Sequence, residues 1–215
     1  MEGFCKMLQL IAMATMLIDH IGYIFFPDSQ LYRIVGRLAF PLYCWFLVQG
    51  YLHTRNLKNY MYRLFGLACL SQIPYNLAFQ QVEELNVIFT LLLSIIALYI
   101  LDHVEGYRLK SILLLGVMST AILVPMDYGL YGVALVLIYR YLDQRRLVRY
   151  HMLLNLFFFA AYGIGYWIQF FSIFATILIG LPYSYRFMPR IKPLYRSFYP
   201  LHLAVLFVIS MWLGR

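Results

Sequence analysis

Charge is what this sequence has least of. Only 12% of its 215 residues are Asp, Glu, Lys or Arg, while 63% are hydrophobic and 19% aromatic. An ordinary soluble domain is about half apolar and about a quarter charged. No water-soluble fold has an interior large enough for this much apolar surface, so a soluble globular domain is excluded. Cysteine is scarce too. Cys5, Cys44 and Cys69 are odd in number, lack C-x-x-C spacing, and two of them lie in apolar runs. That leaves out a disulfide framework or a zinc site, and no metal is expected. Linkers rich in Pro, Gly or Ser, low-complexity tracts and internal repeats are absent, so a single transmembrane domain over 1–215 is expected.

Acidic residues are few as well: 9 Asp and Glu against 17 Lys and Arg give a formal charge of +8. Such a balance can mark nucleic-acid binding. Here the basic residues cluster in short loops between apolar runs, which is how membrane topology is written, so no nucleic-acid partner is expected.

What is present is a series of apolar runs recurring about every 22 residues. They read as an all-α, polytopic transmembrane helical bundle of about nine spans in a bacterial cytoplasmic (inner) membrane. The spans are Leu8–Phe26, Tyr32–His53, Tyr60–Phe79, Asn86–Leu101, Leu109–Val124, Tyr128–Leu142, Met152–Trp167, Gln169–Leu181 and Phe198–Leu213. The first run contains Asp19 and His20 and is followed by no small-residue cleavage site, so it reads as a retained helix rather than a signal peptide.

Basic residues alternate from loop to loop. Arg55, Lys58 and Arg63 follow the second span. Arg108 and Lys110 follow the fourth, Arg140, Arg145, Arg146 and Arg149 the sixth, and Arg186, Arg190, Lys192 and Arg196 the eighth. These loops belong in the cytoplasm. The intervening loops hold Asp28 with Arg33, then Glu83 and Glu84, then Asp127, then an uncharged stretch around Gly163, and they face outward. The N-terminus is therefore expected inside and the C-terminus outside, with the lipid bilayer as a partner.

An ionised side chain at mid-membrane costs roughly 2.5–3.5 kcal/mol on insertion scales, so each one calls for a partner or a cavity. Asp19 and His20 lie seven or eight residues before Pro27, roughly 10 Å below the outer end of their helix at 1.5 Å per residue. Arg37 enters the second span from the same side, at similar depth. Adjacent helix positions point about 100° apart, so Asp19 does not orient the His20 ring. It reads as partner to Arg37, with Thr15 one turn earlier supplying a hydroxyl and the His20 ring left to face a cavity. A helix-pinning ion pair is the plainer reading of Asp19 and Arg37.

Gln72 and Asn76 flank Pro74 in the outer half of the third span, and Asn86 and Asp127 open later spans on that side. They read either as lining of an outward-facing polar pocket or as hydrogen-bonding glue between helices. At the inner surface His53, Arg55, Lys58 and Arg63 gather, and His202 enters the ninth span beside Pro200. Topology and anionic lipid account for the lysine and arginines. They do not account for His202, which is either packed or lines a passage.

Several stretches together resemble the TraX family, membrane acetylases named for the enzyme that acetylates the N-terminus of the conjugative F-type pilin subunit. They are Leu17-Ile18-Asp19-His20-Ile21-Gly22, Arg33-Ile34-Val35-Gly36-Arg37-Leu38-Ala39-Phe40-Pro41, Gly50-Tyr51-Leu52-His53-Thr54-Arg55-Asn56, and Ser71-Gln72-Ile73-Pro74. Asn86-Val87-Ile88-Phe89-Thr90-Leu91, Tyr128-Gly129-Leu130-Tyr131-Gly132 and Phe198-Tyr199-Pro200-Leu201-His202 complete the likeness. The position of Gln72 is often an acid in that family, so the resemblance supports no general-base role for it here.

The resemblance implies an acetyltransferase with acetyl-CoA as co-substrate and a peptide or sugar acceptor outside. On that reading His53, Arg55, Lys58, Arg63 and His202 meet the cofactor, the arginines and lysine on its phosphates. His20 is the general base, beside Asp19 and Arg37, with Arg37 stabilising the oxyanion. Gln72, Asn76, Asn86 and Asp127 face the acceptor. A proton-coupled transporter would also bury Asp, His and Arg, but no matching broken helices appear in two halves. A non-enzymatic scaffold for a surface appendage is the other alternative.

Overall fold

The computed structural model describes residues 2–181 and 192–214, with side chains from 7–181 and 197–214. The described residues form helices joined by short turns and contain no strand. Their only extended pairing is one isolated bridge between Leu85 and Met126. The basic segment carrying Arg186 and Arg190 lies outside the described residues, as do the side chains of Cys5, Lys192 and Arg196.

Helix α1 (Glu2–Phe25) follows the first apolar run. The second expected span, Tyr32–His53, is instead two helices, α2 (Gln30–Gly36) and α3 (Ala39–His53). Pro41 is the cause: it has no N–H for the Arg37 carbonyl and its ring crowds that oxygen, so the ladder breaks at Arg37-Leu38. The Arg37 N–H still bonds back to Arg33 and Ile34, at 3.2 and 3.3 Å. Helix α4 (Leu57–Phe79) is opened by Asn56, whose side chain accepts the Asn59 N–H at 2.9 Å, and it carries Pro74 in its interior.

Helices α5 (Val87–His103), α6 (Tyr107–Leu123) and α7 (Gly129–Tyr141) follow the fourth to sixth expected spans closely. The seventh and eighth expected spans are displaced. Helix α8 runs Gln144–Tyr162, a 3₁₀ helix runs Ile164–Ser172, and α9 runs Ile173–Gly180. Gln and Arg are good helix formers, so α8 extends back through the polar stretch before Met152. It stops at Gly163, whose φ of 80° suits glycine. Helix α10 (Lys192–Trp212) starts six residues ahead of its expected span and contains Pro200.

Met7–Phe25 and Gln30–His53 are long and apolar enough to cross a membrane on length and composition. Val87–His103, Gly129–Tyr141, Ile164–Gly180 and Ser197–Trp212 are apolar but shorter. The outward faces carry the same message. On α10, Leu201, Val205, Val208 and Trp212 are exposed at helical spacing, while Tyr199, His202, Leu203, Leu206 and Ser210 are buried on the other face. On α6, Leu109, Ile112, Leu115, Ile122 and Leu123 are exposed. Contiguous apolar faces like these are unstable against water and natural against lipid. Membrane association follows.

The chain gathers into two units. The first comprises 1–43, 74–80 and 142–215; the second comprises 44–73 and 81–141. In the first, α1 packs on α2 and α10, and α8 packs on the 3₁₀ helix and α9. In the second, α5, α6 and α7 pack together around Ala97, Ile100, Val117, Ala121 and Val133.

Candidate functional site

In the first unit the Asp19 carboxylate, on α1, is met by two arginines of the α2 segment. Arg33 Nη1 donates to Asp19 Oδ2 at 2.9 Å, and Arg37 Nη2 stands 3.6 Å from Oδ1. Arg37 is thus beside Asp19, but the nearer partner is Arg33, which the sequence reading left in an outer loop. Thr15 does not serve Asp19: its hydroxyl donates to the Ile11 and Ala12 carbonyls at 2.8 and 3.3 Å, the usual back-bond of a helical threonine. Gly36 permits the approach. A Cβ there would run into the Asp19 carboxylate.

His20 is paired with a second histidine. Its Nδ1 is 2.7 Å from Nε2 of His202 on α10, and Phe79 and Tyr199 pack edge-on against its ring. His202, expected beside the inner basic cluster, is thus the partner of His20 within the first unit. Because α10 begins at Lys192, His202 sits mid-helix instead of at its entrance. His202 is 6% exposed, and its Nδ1 bonds the Phe198 carbonyl at 2.6 Å.

Five further residues add to the polar interior of this unit, none of them singled out by sequence. Gln169 Oε1 accepts from Arg37 Nη1 at 3.2 Å, while its own buried amide nitrogen has no hydrogen-bond partner among the described residues. Asn155 donates to the Gln169 carbonyl and to Ser172 Oγ, both at 3.1 Å. His151 lies between Ser172, at 3.0 Å, and Thr176, at 2.6 Å, all three fully or almost fully buried. The i, i+4 spacing of His151 with Asn155 was the available signal. It was hidden because the expected seventh span began at Met152.

In the second unit, the pocket reading of Gln72 and Asn86 gives way to the glue reading. Asn86 caps α5 by accepting the Ile88 N–H at 3.0 Å. Gln72 Oε1 accepts from the Asn86 backbone and side chain at 3.0 and 2.7 Å, and its amide donates to the Glu84 carbonyl at 2.9 Å. Asp127 contributes its backbone, accepting from Thr90 Oγ1 at 2.5 Å and donating to Leu85 O at 3.0 Å. Asn76, half-buried on α4, falls in the first unit.

His53, Arg55, Lys58 and Arg63 are all exposed around the start of α4, with His53 Nδ1 bonded to Gln49 O at 2.9 Å. Beside them lies a cleft of ≈ 510 Å³ lined by Tyr51, Leu52, Thr54, Leu57, Asp102, His103 and Arg140. Asp102, just beyond the fourth expected span, accepts from Tyr141 at 2.6 Å, Tyr51 at 2.9 Å and Arg140 at 3.1 Å. Burial alone would raise its carboxyl. The three hydrogen bonds and the Arg140 charge outweigh that and hold it below the usual carboxylate range.

Compared with known proteins, the family described as TraX protein matches residues 5–210. A Dichelobacter nodosus protein named "Probable fimbrial assembly protein FimC, serogroup H1" is 34% identical over 146 residues, covering 61% of this chain and 59% of that protein. An uncharacterized protein of Rickettsia prowazekii (strain Madrid E), RP591, is 29% identical over 92 residues, covering 43% and 35%. The chain thus spans less than two thirds of the length of these curated relatives. No solved structure matches.

Proposed function

Because the chain belongs to the TraX family, we propose that it is a membrane-embedded acetyltransferase that moves an acetyl group from cytosolic acetyl-CoA to a peptide N-terminus at the outer face. The name of the fimbrial assembly relative favours a pilin-like acceptor over a sugar hydroxyl. The bundle crosses the bacterial cytoplasmic membrane about nine times, basic loops inside.

One observation carries the reading: two guanidiniums, Arg33 and Arg37, share the single carboxylate of Asp19 next to the His20–His202 pair. A helix pin needs one cation. Two leave a net positive charge, which suits an acyl transfer in which negative charge grows on a carbonyl oxygen. Arg37 and the unpartnered Gln169 amide are the donors placed to meet that oxygen. Gln72, expected to face the acceptor, is engaged instead by Asn86 and Glu84.

Acetyl-CoA supplies the activated thioester. We assign its head group to the cleft beside Thr54 and Leu57, which is lined by His103 and by Arg140 in its pair with Asp102; the reading is supported by Arg55, Lys58 and Arg63, exposed close by in the sequence and able to meet phosphate oxygens.

The deciding experiment incubates purified protein with labelled acetyl-CoA and a synthetic peptide bearing an unblocked N-terminus, with an N-blocked peptide and a sugar as controls. Label is expected on the unblocked peptide alone, and His20→Ala abolishes it while the melting temperature holds. Full transfer by His20→Ala removes the catalytic assignment. Acetyl-CoA raises the melting temperature of the wild type, whereas a carrier for an unrelated solute does not respond.

A further inference from the structure

We infer that His202 is a positioning residue that holds His20 in the one tautomer whose Nε2 is bare, which makes Nε2 of His20 the base nitrogen. The chemical consequence rests on the acyltransferase reading above; the tautomer itself does not.

The argument starts at the far end of the chain of hydrogen bonds. A carbonyl oxygen only accepts, so the 2.6 Å contact of His202 Nδ1 with Phe198 O places a proton on that nitrogen. In a neutral ring Nε2 of His202 is then a lone pair. His20 Nδ1 lies 2.7 Å from it, and two lone pairs at that distance repel, so Nδ1 of His20 carries the proton and donates it. Neutral His20 is left with an unprotonated Nε2.

The ring geometry agrees. The planes are 13° apart and the centroids 4.9 Å apart, which is the N···N distance plus about one ring radius at each end. The rings therefore meet edge to edge, along the N–H direction, in nearly one plane, and do not stack face on face. Phe198 lies over the His202 ring at 4.6 Å and Phe79 against His20 at 5.0 Å, which stops either imidazole from turning over. The charged groups around the pair are Asp19 beside it on α1 and Arg33 and Arg37 from the α2 segment. Phe79 and Tyr199 bring no charge.

Base and orienter are thus supplied by two histidines, each held by the next hydrogen-bond partner, ending at a backbone carbonyl. In the step itself the acceptor amine nitrogen bonds to the thioester carbon and the C–S bond breaks. The amine proton passes to His20 Nε2 and then to the leaving thiolate, so both rings finish neutral. While His20 carries the extra proton, its bond to His202 is charge-assisted and stronger, with no rearrangement of either ring.

Two measurements test this. Solid-state ¹⁵N NMR of the full chain, histidine-labelled in lipid nanodiscs and assigned by difference against His20→Gln, is expected to show His20 with protonated Nδ1 and bare Nε2, and His202 likewise. A His20 signal with protonated Nε2 overturns the inference. In the acetyl-transfer assay, His202→Phe is expected to lower kcat about a hundredfold without changing the KM for acetyl-CoA. His202→Gln, whose side-chain oxygen restores an acceptor near Nε2, is expected to regain most of the loss. Equal rates for the two variants count against the inference. A wild type that shows the tautomer pattern but transfers nothing upholds the pairing and overturns the acyltransferase reading instead.

Discussion

Gly36 lies so close to Asp19 that any side chain on it would occupy the space of the carboxylate. The contact is what lets one turn of α2 present Arg33 and Arg37 to the same acid. Sequence, packing and site meet at this residue: a hydrogen in place of a methyl group sets the helix separation, and the separation sets the ion-pair distances.

The first prediction follows directly. Gly36→Ala forces α2 away from α1 or turns Asp19 aside, an overpacking that costs about 1–3 kcal/mol. A lower melting temperature in detergent and loss of acetyl transfer are expected together. Unchanged melting and turnover would show that the approach is unimportant.

Arg33 and Arg37 are expected to fail differently. Arg33 is the nearer partner of Asp19 but is 31% exposed, so Arg33→Gln weakens a partly solvated pair and mainly lowers the melting temperature. Arg37, 14% exposed, also bonds Gln169 and the Arg33 carbonyl. Arg37→Gln is expected to lower kcat by about a hundredfold, the order of one lost charge-stabilising donor. Equal effects of the two substitutions on kcat would assign both to structure.

Much of the fold could be read from residues alone. The first apolar run gave α1, and the apolar span opening at Asn86 gave α5, because local apolar content is written in neighbouring residues. What was missed depends on long-range packing. His20 and His202 are 182 residues apart, and their pairing comes from the docking of α10 on α1, which no spacing rule encodes. The break before Pro41 was legible in principle, since the proline is third in its helix. The unbroken apolar content across it concealed the joint. Gln72 was left between lining and glue because its polarity was visible and its three bonds to Glu84 and Asn86 were not.

Asp102 sets a pH dependence. Its folded carboxyl titrates below the ordinary carboxylate range, so as pH falls the unfolded chain takes up the proton first. The stabilisation is complete above that ordinary range. It is lost as pH falls through the lowered folded value. Thermal melts between about pH 6 and pH 2 should therefore show wild type losing stability at the acid end, with Asp102→Asn flatter there and less stable at pH 6. Parallel curves would detach Asp102 from acid sensitivity.

Topology gives the last prediction, since the orientation argument depends only on where cations lie. In a background with Cys5, Cys44 and Cys69 replaced, single cysteines report which side of the membrane each loop occupies. Asp28→Cys and Glu83→Cys are expected to react with an impermeant maleimide on intact cells. Lys58→Cys, Arg108→Cys and Arg145→Cys react only after the cytoplasmic membrane is opened, because moving their loops outward would carry clustered cations across the bilayer. Gly214→Cys is the discriminating position. It lies just past α10, so an odd number of crossings from a cytoplasmic start leaves it outside, and labelling on intact cells supports about nine. Protection of Gly214→Cys with the inner loops also protected would mean that one of the segments after Arg145, α10 included, turns back without crossing, and the nine-span count would fall.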